Sequence, residues 1–124
     1  NVCEHSEFVT NVCSSTVFDF VTHKKPCIYY NYEQPQLKKG VRDIGQNYKY
    51  VHFRSMPTKE AAVFCTDKKD LEIIVKNILD AKTSNVKEGL EWFEIVAGKN
   101  PTEASKHIWE TINKILNSVN VNEL

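Results

Sequence analysis

The stretch EFVTNVCSSTVFDFVTHKKPCIYY, residues 7–30, contains the pattern that decides the fold. Its first part, EFVTNV (7–12), and the segment PCIYYNY (26–32) are rich in branched and aromatic residues, as β-strands are. Residues 15–23 between them suit one helix, with hydroxyl side chains at its start. A strand, a helix and a second strand in this order build the right-handed crossover of a parallel sheet.

Two further segments are predicted strands. YKYVHF (48–53) and AAVFCT (61–66) combine aromatic and branched residues and are separated by a turn around Met56-Pro57. They bring the expected sheet to about four mainly parallel strands. The fold class is therefore α/β.

The second half of the chain is predicted to be helical. Residues 68–82 carry apolar side chains at helical spacing, with Asp67 as the expected cap. Asn85 and Glu88 resemble a capping box for a helix that Gly98 stops. A last helix is predicted from Asn100-Pro101 through Asn117. We expect it to pack through the face formed by Ala104, Ile108, Thr111, Ile112, Ile115 and Leu116.

Composition is that of one globular domain. The chain has 124 residues, 41% of them hydrophobic, and its 16 basic side chains balance 16 acidic ones. A balanced charge produces no long-range field that attracts nucleic acid, so we expect no nucleic-acid partner. No apolar run approaches the roughly 20 residues that span a bilayer. The only methionine is Met56, so we expect a chain that was processed or is a piece of a longer one.

The cysteines are too sparse for a disulfide framework or a metal knuckle, so we expect no metal site and reduced thiols. They are Cys3, Cys13, Cys27 and Cys65.

The segment VCSST follows the first predicted strand, where parallel α/β proteins form their binding loops. Backbone N–H groups at the start of the next helix, with the hydroxyls of Ser14 and Ser15, are suited to an anion. The alternative needs no ligand, because Thr16 and Asp19 have the spacing of a helix capping box. The residues alone leave both interpretations open.

The stretch VCSSTVFDFVTHKKPCIYYNYE resembles the nucleotide-binding half of the CDP-glycerol glycerophosphotransferase (teichoic acid polymerase) family and, more broadly, bacterial transferases of the GT-B fold. That family shows Asp-Tyr-Ser-Ser, an Asp four positions later, Lys-Pro, an apolar strand and an acidic residue. The matching positions here are Ser14, Ser15, Asp19, Lys25, Pro26 and Glu33. Val12 and Cys13 stand where the family has Asp-Tyr.

The resemblance implies a partial Rossmann-like domain. We expect residues 1–124 to form a single domain, a fragment of the carboxy-terminal nucleotide-binding domain of a longer transferase. Residues 1–82 would be its α/β part and 83–124 its terminal helices. The partner implied is the amino-terminal domain of the parent chain, which supplies the acceptor, so the fragment alone is expected to be inactive.

A nucleotide-diphosphate donor, linked to CDP or UDP, is the implied substrate, and no separate cofactor is expected. Ser14, Ser15 and the Thr16 backbone N–H are the predicted phosphate contacts. Arg42 is the preferred cation because its fork can hold two oxygens, whereas Lys38 and Lys39 are more typical of a solvated loop.

Glu33 is the candidate acceptor for ribose or polyol hydroxyls. The tyrosines, five in all, suit either base stacking or the core. The catalytic base is not identified.

Three classes of function remain open. The first is the donor-binding part of a cytoplasmic glycosyl- or glycerophosphotransferase for cell-surface polymers, whose parent associates with the inner face of the membrane. The second is a sugar-nucleotide-binding or epimerase-like enzyme, since such folds also place serines and an acidic residue around a nucleotide diphosphate. The third is a non-catalytic α/β interaction module.

Overall fold

The computed structural model describes residues 1–33 and 43–119. In this part of the chain, three parallel strands form one sheet in the order β1-β2-β3, flanked by helices. The strands are β1 (Val9–Asn11), β2 (Cys27–Tyr30) and β3 (Val63–Cys65). The predicted α/β class and parallel pairing are therefore confirmed, with one strand fewer than expected.

The register brings the carboxyl ends of the strands to one edge. Asn11 of β1 lies opposite Tyr29 of β2, and Tyr30 lies opposite Cys65 of β3. The turn after β1 and the segment after β2 therefore leave the sheet side by side. This is the edge where parallel α/β sheets bind ligands.

The described residues form seven α-helices. They are α1 (Val2–His5), α2 (Thr16–Thr22), α3 (Ile44–Asn47), α4 (Val51–Arg54), α5 (Leu71–Leu79), α6 (Val86–Ala97) and α7 (Ala104–Val119). Short 3-10 turns precede β3 at Lys59–Ala61, α5 at Lys68–Asp70 and α7 at Pro101–Glu103. The predicted helices at 15–23, 68–82, before Gly98 and after Pro101 are thus confirmed.

The sheet separates two apolar clusters. On one face, Cys27 and Tyr29 pack with Val17 and Val21 of α2 and with Trp92 of α6. On the other face, the cluster of Ile28 and Cys65 packs against α5. The α5 side chains in that cluster are Leu71, Ile74, Val75 and Ile78, which recur at the predicted helical spacing.

Residues 48–53 are not a strand, contrary to the prediction. Residues 48–50 form the turn between α3 and α4, and residues 51–53 are the first three residues of α4. Tyr48 and Phe53 both contact Tyr29, with ring centroids 5.6 Å and 5.4 Å away. Positions 48 and 53 would point to opposite faces of a strand, whereas helical turns bring both rings to the same core.

Two predicted helix boundaries are confirmed and one capping interpretation is wrong. The Asp67 carboxylate accepts a hydrogen bond from the Lys69 N–H at 2.9 Å, and Gly98 ends α6 with φ +91°. Asn85 precedes α6, but its side chain makes no capping hydrogen bond. It is buried and bonded elsewhere, so the Asn85–Glu88 capping box does not form.

Helices α6 and α7 differ in how they pack. Helix α6 packs on α2, and the ring of Phe93 stacks on Phe18 with centroids 5.0 Å apart. The predicted packing face of α7 is exposed instead, including Ile108 and Ile115. Periodicity identifies an apolar face but not what lies against it.

All four cysteines are free thiols, as expected. Cys3, Cys27 and Cys65 are buried, whereas Cys13 is half-buried. Among the described residues, no helix has the length and apolar character needed to cross a membrane.

Candidate functional site

The turn after β1 is held by its own side chains. The Asn11 side-chain oxygen accepts a hydrogen bond from the Ser14 N–H at 3.0 Å, and its amide group donates to the Cys27 sulfur at 3.4 Å. Cys13, which lies between Asn11 and Ser14, has φ +47°. This left-handed conformation costs a non-glycine residue free energy. The turn is thus tied both to itself and to the neighbouring strand β2.

Ser14, rather than Thr16, provides the side-chain oxygen that accepts a hydrogen bond from a backbone N–H at the start of α2. The Ser14 hydroxyl oxygen accepts a hydrogen bond from the Thr16 N–H at 3.2 Å and lies 2.6 Å from the Thr16 hydroxyl. The Tyr29 hydroxyl donates to the Ser14 carbonyl at 2.6 Å. Ser15 occupies the N-cap position, so the Thr16–Asp19 capping box is wrong.

Ser15 is the exposed hydroxyl of this turn. Its side chain makes no capping hydrogen bond, and its hydroxyl has no partner among the described residues. The Ser14 and Thr16 hydroxyls are occupied with each other, so Ser15 is the serine whose donor is available to a ligand. Sequence reasoning named Ser14 and Ser15 together, and the hydrogen bonds separate their roles.

Glu33 follows β2 at the same edge of the sheet and has a structural partner. Its carboxylate accepts a hydrogen bond from the Ile44 N–H at 2.7 Å, at the start of α3. A hydrogen bond with Asp43 raises the pKa of the Glu33 carboxyl, and the same contact lowers the pKa of Asp43. The Glu33 carboxyl therefore keeps its proton to a higher pH than an isolated glutamate does, and Asp43 loses its proton at a lower pH than an isolated aspartate does.

Asp43 was missed by the sequence reasoning. Its carboxylate accepts a hydrogen bond from the Gly45 N–H at 2.6 Å and caps α3. An aspartate two residues before that glycine is a capping signal that could have been noticed. Arg42, the predicted phosphate cation, lies outside the described residues, as do Lys38 and Lys39.

The tyrosines nearest this edge belong mainly to the core. Tyr29 is fully buried, and burial raises the pKa of its hydroxyl far above the usual value. Tyr48 is half-buried; burial raises its pKa to about 12, and its hydroxyl donates to the Tyr30 carbonyl at 2.5 Å. Tyr48 and Cys13 of the turn after β1 both pack against the core cluster that contains Tyr29.

An open cavity of about 370 Å³ lies beside Tyr48. Its walls are mainly aromatic and apolar, and they include the polar residues Thr58 and Lys59. The lining residues are Tyr48, Phe53, Met56, Pro57, Thr58, Lys59 and Phe64. This volume is in the range of small-molecule sites. The sequence showed no sign of the cavity because its walls come from three separate segments.

In the part of the chain that the structure describes, no group of three histidine, cysteine or acidic side chains could hold a metal ion. Comparisons with protein-family models, with curated proteins and with solved structures gave no match to this chain.

Proposed function

We propose that the carboxyl edge of the sheet binds the diphosphate of a nucleotide-activated sugar or polyol. The chain would be the donor-binding part of a glycosyl- or glycerophosphotransferase that builds cell-surface polymers. The observation that supports this most directly is the turn 11–16, which its own hydrogen bonds hold at the carboxyl end of β1 with the Ser15 hydroxyl exposed. A binding turn that is already ordered loses little conformational entropy when a ligand arrives.

The chemistry of such a transfer makes this placement useful. A nucleotide phosphate departs, and negative charge grows on its oxygens as the bond to the sugar carbon or phosphorus breaks. Donors that already point at those oxygens stabilise the transition state more than the ground state. The Ser15 hydroxyl is the proposed donor and Arg42 the proposed cation, whereas the Thr16 backbone N–H already donates to the Ser14 hydroxyl.

Two neighbouring features suit the rest of the donor. The cavity beside Tyr48 offers aromatic walls to a nucleobase, and Tyr48 packs against the same core cluster as Cys13 of the turn after β1. Stacking on aromatic rings tolerates any base, because every base has a π-face. Glu33 is proposed to accept hydrogen bonds from ribose or polyol hydroxyls.

The proposal includes a second domain and a location. The three-stranded sheet is consistent with part of a GT-B nucleotide-binding domain, which works opposite an acceptor-binding domain. We propose the cytoplasm as the site of the reaction, at the inner face of the membrane, because cell-surface polymers are assembled there from activated donors.

Calorimetric titration of the chain with CDP and UDP tests the proposal. We expect either nucleotide to bind more tightly than AMP or inorganic phosphate. Replacing Ser15→Ala should weaken binding by about 1 to 3 kcal/mol, the cost of a hydrogen bond to a charged group. Ser105→Ala removes an exposed serine from α7 and is the matched control, which should bind as the unaltered chain does.

Two results would contradict the proposal. One is a chain that binds neither nucleotide, and the other is a Ser15→Ala variant with unchanged affinity. Equal binding of AMP, phosphate and the diphosphates would favour a general anion site on a non-catalytic module.

A further inference from the structure

We draw no further inference here: the strongest candidate, the exposed apolar stripe of helix α7 formed by Ile108, Trp109, Ile112, Ile115 and Leu116, carries none because nothing in the part of the chain that the structure describes shows what covers it.

Discussion

The Asn85 side-chain oxygen accepts a hydrogen bond from the Cys27 backbone N–H at 3.0 Å, across 58 residues of sequence. The same side chain donates its amide hydrogen to the Ala61 carbonyl at 2.8 Å. Asn85 is 1% exposed, so neither backbone group has access to water in its place. One amide thus joins the first residue of β2, the turn that precedes β3 and the start of α6.

Replacing Asn85→Ala should lower the free energy of unfolding by about 2 to 4 kcal/mol, because it leaves a buried N–H and a buried carbonyl unpaired. Urea denaturation measures the loss. The exposed Asn117→Ala change in α7 is the control and should stay within about 0.5 kcal/mol of the unaltered chain. Equal stability of the Asn85→Ala variant and the control would refute the role of this bridge.

Gly89 allows α6 to approach α2 closely. A Cβ at this position would lie 2.7 Å from Val21 Cγ1 and 3.3 Å from the Ala61 carbonyl oxygen. We expect Gly89→Ala to destabilise the chain by about 1 to 3 kcal/mol, although alanine is the better helix former.

The cause can be checked in a Val21→Ala background, where the clashing methyl group is absent. There the added cost of Gly89→Ala should shrink, as a double-mutant cycle from thermal or urea melts would show. If the free-energy costs of Gly89→Ala and Val21→Ala simply add, the contact with Val21 is not the cause of the destabilisation.

Stability should fall in alkaline solution through the buried thiol of Cys27. Burial raises its pKa from 9.0 to about 12, so the folded chain holds the proton over a range in which the unfolded chain has lost it. The contribution of this thiol is complete below pH 9 and is lost as the pH rises toward 12.

Replacing Cys27→Ala should flatten this part of the pH profile of unfolding, measured with urea on either side of pH 9. Burial also raises the pKa of Tyr29 and Tyr48, so a smaller alkaline decline should remain. A profile identical to that of the unaltered chain would show that Cys27 does not contribute.

The carboxyl pair at the start of α3 should respond to acid and to base. The raised pKa of Glu33 means that its contribution is present at low pH and is lost as the pH rises through its folded value. The lowered pKa of Asp43 means that its contribution is present at higher pH and is lost as the pH falls through its folded value. The Glu33–Asp43 hydrogen bond is therefore strongest at pH values between the folded pKa of Asp43 and the folded pKa of Glu33.

Glu33→Gln should remove the titration of residue 33 from this contact, because the glutamine amide can donate a hydrogen bond to Asp43 at any pH. The amide chemical shift of Ile44, whose N–H donates to Glu33, is the measurement. We expect two inflections with pH in the unaltered chain and the loss of the upper one in the variant. If the upper inflection persists, it belongs to another group.

Much of the architecture follows from local sequence signals. The alternation of β-prone and helical segments over 7–30 predicts the β1–α2–β2 crossover, and apolar spacing predicts α5. Asp67 and Gly98 mark boundaries because a capping carboxylate and a positive φ depend on residues nearby in the chain. The position of the candidate turn at the carboxyl end of β1 follows from the same reasoning.

Only the tertiary structure decided the features that depend on distant residues. Residues 48–53 are β-prone by composition, but their rings pack on Tyr29, which selects helical turns over a strand. Asn85 looks like a cap, yet burial between two other segments gives its amide stronger partners. Three further features depend on which groups the fold brings into contact. They are the pairing of Glu33 with Asp43, the separate roles of Ser14 and Ser15, and the exposure of the apolar face of α7. Residue patterns along the chain specify local conformation, whereas hydrogen-bond partners and burial are set by contacts between segments far apart in sequence.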